Sequence, residues 1–183
     1  MPGAFTVPYG RLAAVRGRIR QGLAGLRPRL PTECAAAVGA ELTTAQAAAF
    51  YRLSRFDQAH LCRAYLALRA AGETDRDLLV AALLHDVGKA SAEGRVRLIH
   101  RVARVLLARS APAALTWLAR LPAPRWRVGF ALAVLHAELG AHQAAALGCT
   151  PRTCWLIAHH EDAPPPPDEA LRRLIEADHA ACP

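Results

Sequence analysis

An all-α fold is what this sequence predicts, and three observations predict it. Of the 183 residues, 53% are hydrophobic but only 5% aromatic; the surplus is Ala and Leu, both strong helix formers. Apolar residues recur at spacings of three and four through several segments, the repeat of a helix face. Long β-branched runs bounded by turn residues, which would mark strands, are absent. The length suits one domain with a core large enough to need no disulfide or metal staple.

Residues 1–43 read as a basic helical extension. Up to Pro31 it carries Arg11, Arg16, Arg18, Arg20, Arg27 and Arg29 among Leu, Val, Ile and Ala. An Arg-rich, acid-free start also resembles a transit peptide, but Pro2, Pro8 and the glycines favour a surface helix or frayed end. The main domain is expected over 44–183. Helix runs from Thr44 to the Gly72 stop in two pieces divided near Ser54, where Ser-x-x-Asp is a start signal. Thr74 is placed to cap the next helix, with Asp75 and Asp77 in its first turn. Its run DLLVAALL is apolar enough to be central in the core and delivers His85-Asp86 at its C-terminal end.

A basic amphipathic insertion is expected at about 91–126. Within it Val96, Ile99, Val102, Ala103 and Leu106 share one face and arginines hold the rest. Pro112, Pro122 and Pro124 punctuate its second half. Another helix is expected from about Trp126 to Leu147, with a break near His136, before Gly148 closes it. Thr150-Pro151 opens a helix carrying Trp155 to His159-His160. Pro164 to Pro167 form an extended loop, and Asp168 begins the last helix.

The net charge of +8 favours anionic partners: phosphates, nucleic acid or an acidic membrane surface. Peripheral contact through the basic helices is one expectation, although the aromatics do not interleave with the arginines as stacking platforms for bases would. No run of about 18 apolar residues predicts a membrane span. Five cysteines, an odd number without framework spacing, and the lack of a secretory leader pattern point to a reducing, cytoplasmic setting. Cys149 and Cys154 lack a second pair for zinc and read as small buried residues. GC-rich coding explains the excess of Arg; the only lysine, Lys89, then stands out.

His60, His85, His136 and the pair His159-His160 fall at helix positions that a bundle can turn inward, as metal-binding bundles do. Asp86, beside His85 and among Leu and Ala, would be costly to bury without a partner. His100, His142 and His179 read as surface or partly buried residues without ligand duty. Arg55 and Asp57 read equally well as supports of the site and as solvated helix-start charges.

The segment AALLHDVGK resembles the signature of the HD-domain (HDIG-type) superfamily of metal-dependent phosphohydrolases, whose ligands run His, His-Asp, Asp along the chain. His60 in DQAHLCRAYLAL resembles the first histidine, His85-Asp86 the doublet, and Asp178 in LIEADHA the last aspartate. HAELGA at His136 and WLIAHHE at His159-His160 are similar to the subgroup with two further histidines and a two-metal centre. The similarity covers about Asp57 to Ala180.

The resemblance implies one or two divalent transition-metal ions, of Fe, Mn, Zn, Co or Ni type. One would be held by His60, His85, Asp86 and Asp178. The other would be held by Asp86, His136 and His159 or His160. The activated water would attack the phosphorus of a nucleotide or related phosphate ester. Lys89, after the doublet, matches the family's phosphate-binding lysine and would act as a compact cation on the substrate.

The same residues admit two other readings. A branch of the superfamily uses a similar ligand set in diiron oxygenases, and some HD folds act as non-catalytic signalling or docking modules. The HD-GYP cyclic-dinucleotide phosphodiesterases continue His-His-Glu into Asp-Gly-x-Gly-Tyr-Pro, whereas this chain continues into DAPPPPDEA, so that narrow assignment is disfavoured.

Overall fold

The computed structural model describes residues 29–181. Among them 72% are helical, in nine α-helices and one 3₁₀ turn, with no strand. The helices are α1 (Cys34–Glu41), α2 (Thr44–Arg52), α3 (Arg55–Ala70), α4 (Arg76–Leu84), α5 (Leu98–Ser110), α6 (Pro112–Ala119), α7 (Arg125–Ala146), α8 (Pro151–His159) and α9 (Glu169–Ala181). A 3₁₀ turn, Val87–Lys89, comes directly after α4. The all-α expectation is met; the basic helix expected before Pro31 lies almost wholly outside the described residues.

Local signals set most boundaries. Thr43 and Gln46 form a reciprocal capping box that starts α2. Ser54 divides α2 from α3, its hydroxyl accepting the Asp57 N–H at 3.2 Å. Thr150 accepts the Thr153 N–H, and Pro151 occupies the first turn of α8. Two expectations need correction. The cap of α4 is Asp75, not Thr74, because its carboxylate takes the N–H groups of Asp77 and Leu78 and brings negative charge to the helix start. And α7 runs unbroken through His136, since no proline or polar insertion interrupts its ladder there.

Every residue of α4 from Leu78 to Leu84 is buried, so this helix is the axle of the core. Around it pack Phe50, Leu61, Leu156, Ile157, Leu171 and Leu174, all fully buried. At roughly 1.5–3 kcal/mol for each large apolar side chain removed from water, this layer dominates the fold's stability. Helix α1 precedes Thr44 yet packs Cys34, Ala37 and Val38 into the same core. Cys34 and Cys62 are joined by a disulfide between α1 and α3, whereas the cysteine count and spacing favoured free thiols. Cys149 and Cys154 are free and half-buried.

The close approach of α7 to the 3₁₀ turn explains one glycine of the HDVGK segment. A Cβ on Gly88 would lie 2.2 Å from the His136 carbonyl oxygen and 2.6 Å from the Gly140 nitrogen. Only a residue without a side chain lets α7 bring His136 over Asp86.

Candidate metal centre

The site lies where α3, α4, α7, α8 and α9 converge. Helix α4 ends at His85, and Asp86 takes φ −96° and ψ 5°, the sparsely occupied bridge region, as the chain tightens into the 3₁₀ turn. This sharp exit holds both side chains in the interior: His85 is 0% and Asp86 1% exposed.

Asp178 on α9 organises the first half. Its Oδ1 lies 2.6 Å from His60 Nε2 and 3.1 Å from His85 Nε2. Burial pushes the Asp178 carboxyl up, but the hydrogen bonds from the two histidines prevail and hold it well below the usual carboxylate range. For His85 burial acts against protonation, and the neighbouring Asp86 and Asp178 more than offset it, so its pKa is raised.

Asp86 joins this half to the other. Its Oδ2 takes the Lys89 ammonium at 2.7 Å, and its Oδ1 faces His136 Nε2 at 3.5 Å and His160 Nε2 at 4.0 Å. Burial favours the neutral acid; Lys89 and the surrounding histidines overcome it and keep Asp86 ionised. The imidazoles form a chain, with centroids 5.5 Å apart for His60–His85, 4.8 Å for His85–His160 and 5.3 Å for His136–His160.

Of the adjacent pair, His160 enters the cluster and His159 does not. His160 is buried, and its Nδ1–H donates to the Ile157 carbonyl at 2.7 Å, which leaves Nε2 a free lone pair aimed at Asp86. His159 turns outward, pairing with Asp162 at 2.6 Å and stacking on Trp155.

Two triads emerge, His60–His85–Asp86 and Asp86–His136–His160, each with donor atoms within 4.8 Å of one another and sharing Asp86. Both have the donor chemistry of a borderline transition metal. The decisive feature is at His136: it is wholly buried, yet neither ring nitrogen makes a hydrogen bond, and Nδ1 of His85 is likewise unpaired. Leaving such groups unmatched costs about 1–3 kcal/mol each. A buried imidazole lone pair beside a buried carboxylate is what a metal ion would satisfy. Burial drives the His136 pKa down to about 4, so the ring is neutral and ready to donate its lone pair at neutral pH.

Three neighbours of the site were not singled out in the sequence. Glu161 lies 3.6 Å from His136 and is gripped by both Arg104 guanidinium nitrogens at 3.0 Å. Arg101 pairs with buried Asp57, which makes Asp57 an internal counter-charge and not a solvated helix-start residue. Glu161 could have been noticed as the carboxylate directly after His160; the arginines could not, being two among many. Lys89, the partner of Asp86, lines a cavity of about 430 Å³ with Arg101, Arg104 and Arg109 and with Val96, Val105, Ala108 and Ala133.

No helix among the described residues is long and apolar enough to cross a membrane. Compared with protein-family models, curated proteins and solved structures, the chain matches none.

Proposed function

We propose that this chain is a metal-dependent phosphohydrolase that cleaves the ester bond of a nucleotide or related phosphate ester, working through a centre of the kind its HD-like motifs suggest. The observation that carries the proposal is the pair of triads sharing buried Asp86, whose partner Lys89 lines a cavity with Arg101, Arg104 and Arg109 among Val96, Val105, Ala108 and Ala133. His60, His85, Asp86 and Asp178 would hold one divalent ion, and Asp86, His136 and His160 a second. Such ions supply Lewis-acid charge and a water made acidic enough to be a nucleophile at neutral pH.

The chain's own part is positioning and charge. Without metal, Asp178 holds the rings of His60 and His85 towards itself by hydrogen bonds to their Nε2 atoms, the atoms an ion between the three side chains would take over. Lys89 touches both Asp86 and the cavity, so its ammonium reaches a phosphoryl oxygen while keeping its buried partner. Arg101 and Arg104 are held in place by Asp57 and Glu161, which presents their remaining N–H groups as a fixed anion-binding wall. The four cationic side chains among the cavity's lining residues support phosphate chemistry over the oxygenase reading, because they suit an anionic substrate.

Metal analysis of the purified protein, combined with a panel of phosphomonoesters, phosphodiesters and nucleotides, tests the proposal. Hydrolysis should depend on bound transition metal and disappear in Asp86→Ala, with helicity retained by circular dichroism. Full metal content in that variant would overturn the shared-carboxylate centre. Iron-dependent oxygen consumption without hydrolysis would favour the oxygenase.

A further inference from the structure

Helix α5 is amphipathic as its sequence predicts, but it is mounted the other way round. Arg101 and Arg104 point inward, to Asp57 and Glu161. Leu98, Ile99, Val102, Val105 and Leu106 point outward, with exposures of 46–62%, and no residue of the helix is buried. Of the nine large hydrophobic residues exposed among the described residues, eight fall between Leu98 and Trp126, the others of the eight being Trp117, Leu121 and Trp126. The indoles of Trp117 and Trp126 lie 5.9 Å apart, with the Arg127 guanidinium over both.

From this we infer that the α5–α6 hairpin and the start of α7 form a docking face for a membrane surface rich in acidic lipids. Charge selects this occupant. Between Glu93 and Glu138 the chain carries eight arginines and no carboxylate; Arg101 and Arg104 are paired with Asp57 and Glu161, which leaves six for an outside partner. A second copy packed on this face about a two-fold axis would set arginine against arginine. Residues 1–29 bring six more arginines and no acid, so their charge does not complement this face. Nucleic acid would satisfy the arginines but leave the aliphatic row of α5 in water. A bilayer of acidic lipids meets both needs: its acyl boundary takes the aliphatic row, its headgroups the arginines, and its interface the two tryptophans. Val105 of the exposed row also lines the cavity with Arg101 and Arg104, so a docked surface would lie at the rim of the proposed substrate site.

Sedimentation of the full chain with vesicles tests this. Vesicles of phosphatidylcholine and phosphatidylglycerol at about two to one should bind the protein, less so as salt rises, while phosphatidylcholine alone should not. The double variant Val102→Glu/Leu106→Glu, at positions already facing water, should lower the partition coefficient at least tenfold with circular dichroism unchanged. Arg120→Gln and Arg125→Gln, both exposed, should each lower it about fivefold. In Trp155→Phe, whose remaining indoles are Trp117 and Trp126, emission should shift to the blue on binding. The inference is overturned if acidic vesicles do not bind, if neutral vesicles bind equally well, or if the double variant binds like the parent. A dimer that the double variant dissolves would assign the face to a second copy instead.

Discussion

Replacing His136 by Leu separates what the site does for the fold from what it does for a ligand. In metal-free protein both ring nitrogens are buried without hydrogen bonds, so an apolar side chain of similar size removes a defect. Metal-free His136→Leu should be more stable than its parent at pH 7 by about 1–3 kcal/mol. The pH dependence sharpens this. The folded pKa of about 4 lies below the ordinary 6.5, so between those values the unfolded chain binds the extra proton. Stability of the parent therefore falls as pH drops from 6.5 towards 4. At pH 5 the loss from this residue is about 2 kcal/mol, of about 3 kcal/mol over the whole interval. The raised pKa of His85 acts with opposite sign, stabilising at low pH, but it is common to both proteins and largely cancels in their difference. Urea unfolding monitored by circular dichroism in the presence of chelator, at pH 7 and pH 5, measures the gap, which should widen by about 2 kcal/mol at the lower pH. In the same variant metal stoichiometry should fall from about two towards about one. Parallel stability curves, or a less stable variant at pH 7, would make His136 an ordinary core histidine.

Three further substitutions probe separate parts of the arrangement. His160→Ala should reduce bound metal and hydrolysis, whereas His159→Ala, which loses contacts to Asp162 and Trp155 outside the cluster, should change neither; metal analysis of the two variants decides. Lys89→Ala should keep its metal and lose roughly a hundredfold in kcat/KM, about 3 kcal/mol, and Lys89→Arg shows whether charge alone suffices. Gly88→Ala must push α7 away from the 3₁₀ turn, and its urea midpoint should fall by the equivalent of about 3 kcal/mol together with metal content.

The parts legible in the sequence are those fixed by local chemistry. Caps at Ser54 and Thr150, the unbroken apolar run of α4 and the Pro-rich loop arise from side chains acting on their own backbone. The inward histidines were legible because His85 and Asp86 end a helix apolar on all sides, which leaves them nowhere to go but the interior. The choice between His159 and His160 was not legible, since adjacent residues at a helix end differ by about 100° in direction and only packing decides which one turns in. Glu161 and Arg104 share this character: their pairing joins residues far apart in sequence and depends on how α5 packs on α7.

Helix α5 shows most clearly where sequence reading stops. Periodicity reports that a helix has an apolar side and a charged side, and the usual inference buries the apolar one. That inference holds when the rest of the protein offers apolar surface. Here the surface offered is Asp57 and Glu161 at the mouth of a polar site, and the ion pairs with Arg101 and Arg104 turn the helix over. The buried carboxylate of Asp57 would be costly without its guanidinium, whereas an aliphatic side chain left half-exposed gives up only part of its transfer free energy. The balance favours arginine inward, and an apolar row is left at the surface as a consequence of satisfying the carboxylates of Asp57 and Glu161 beside the candidate metal centre.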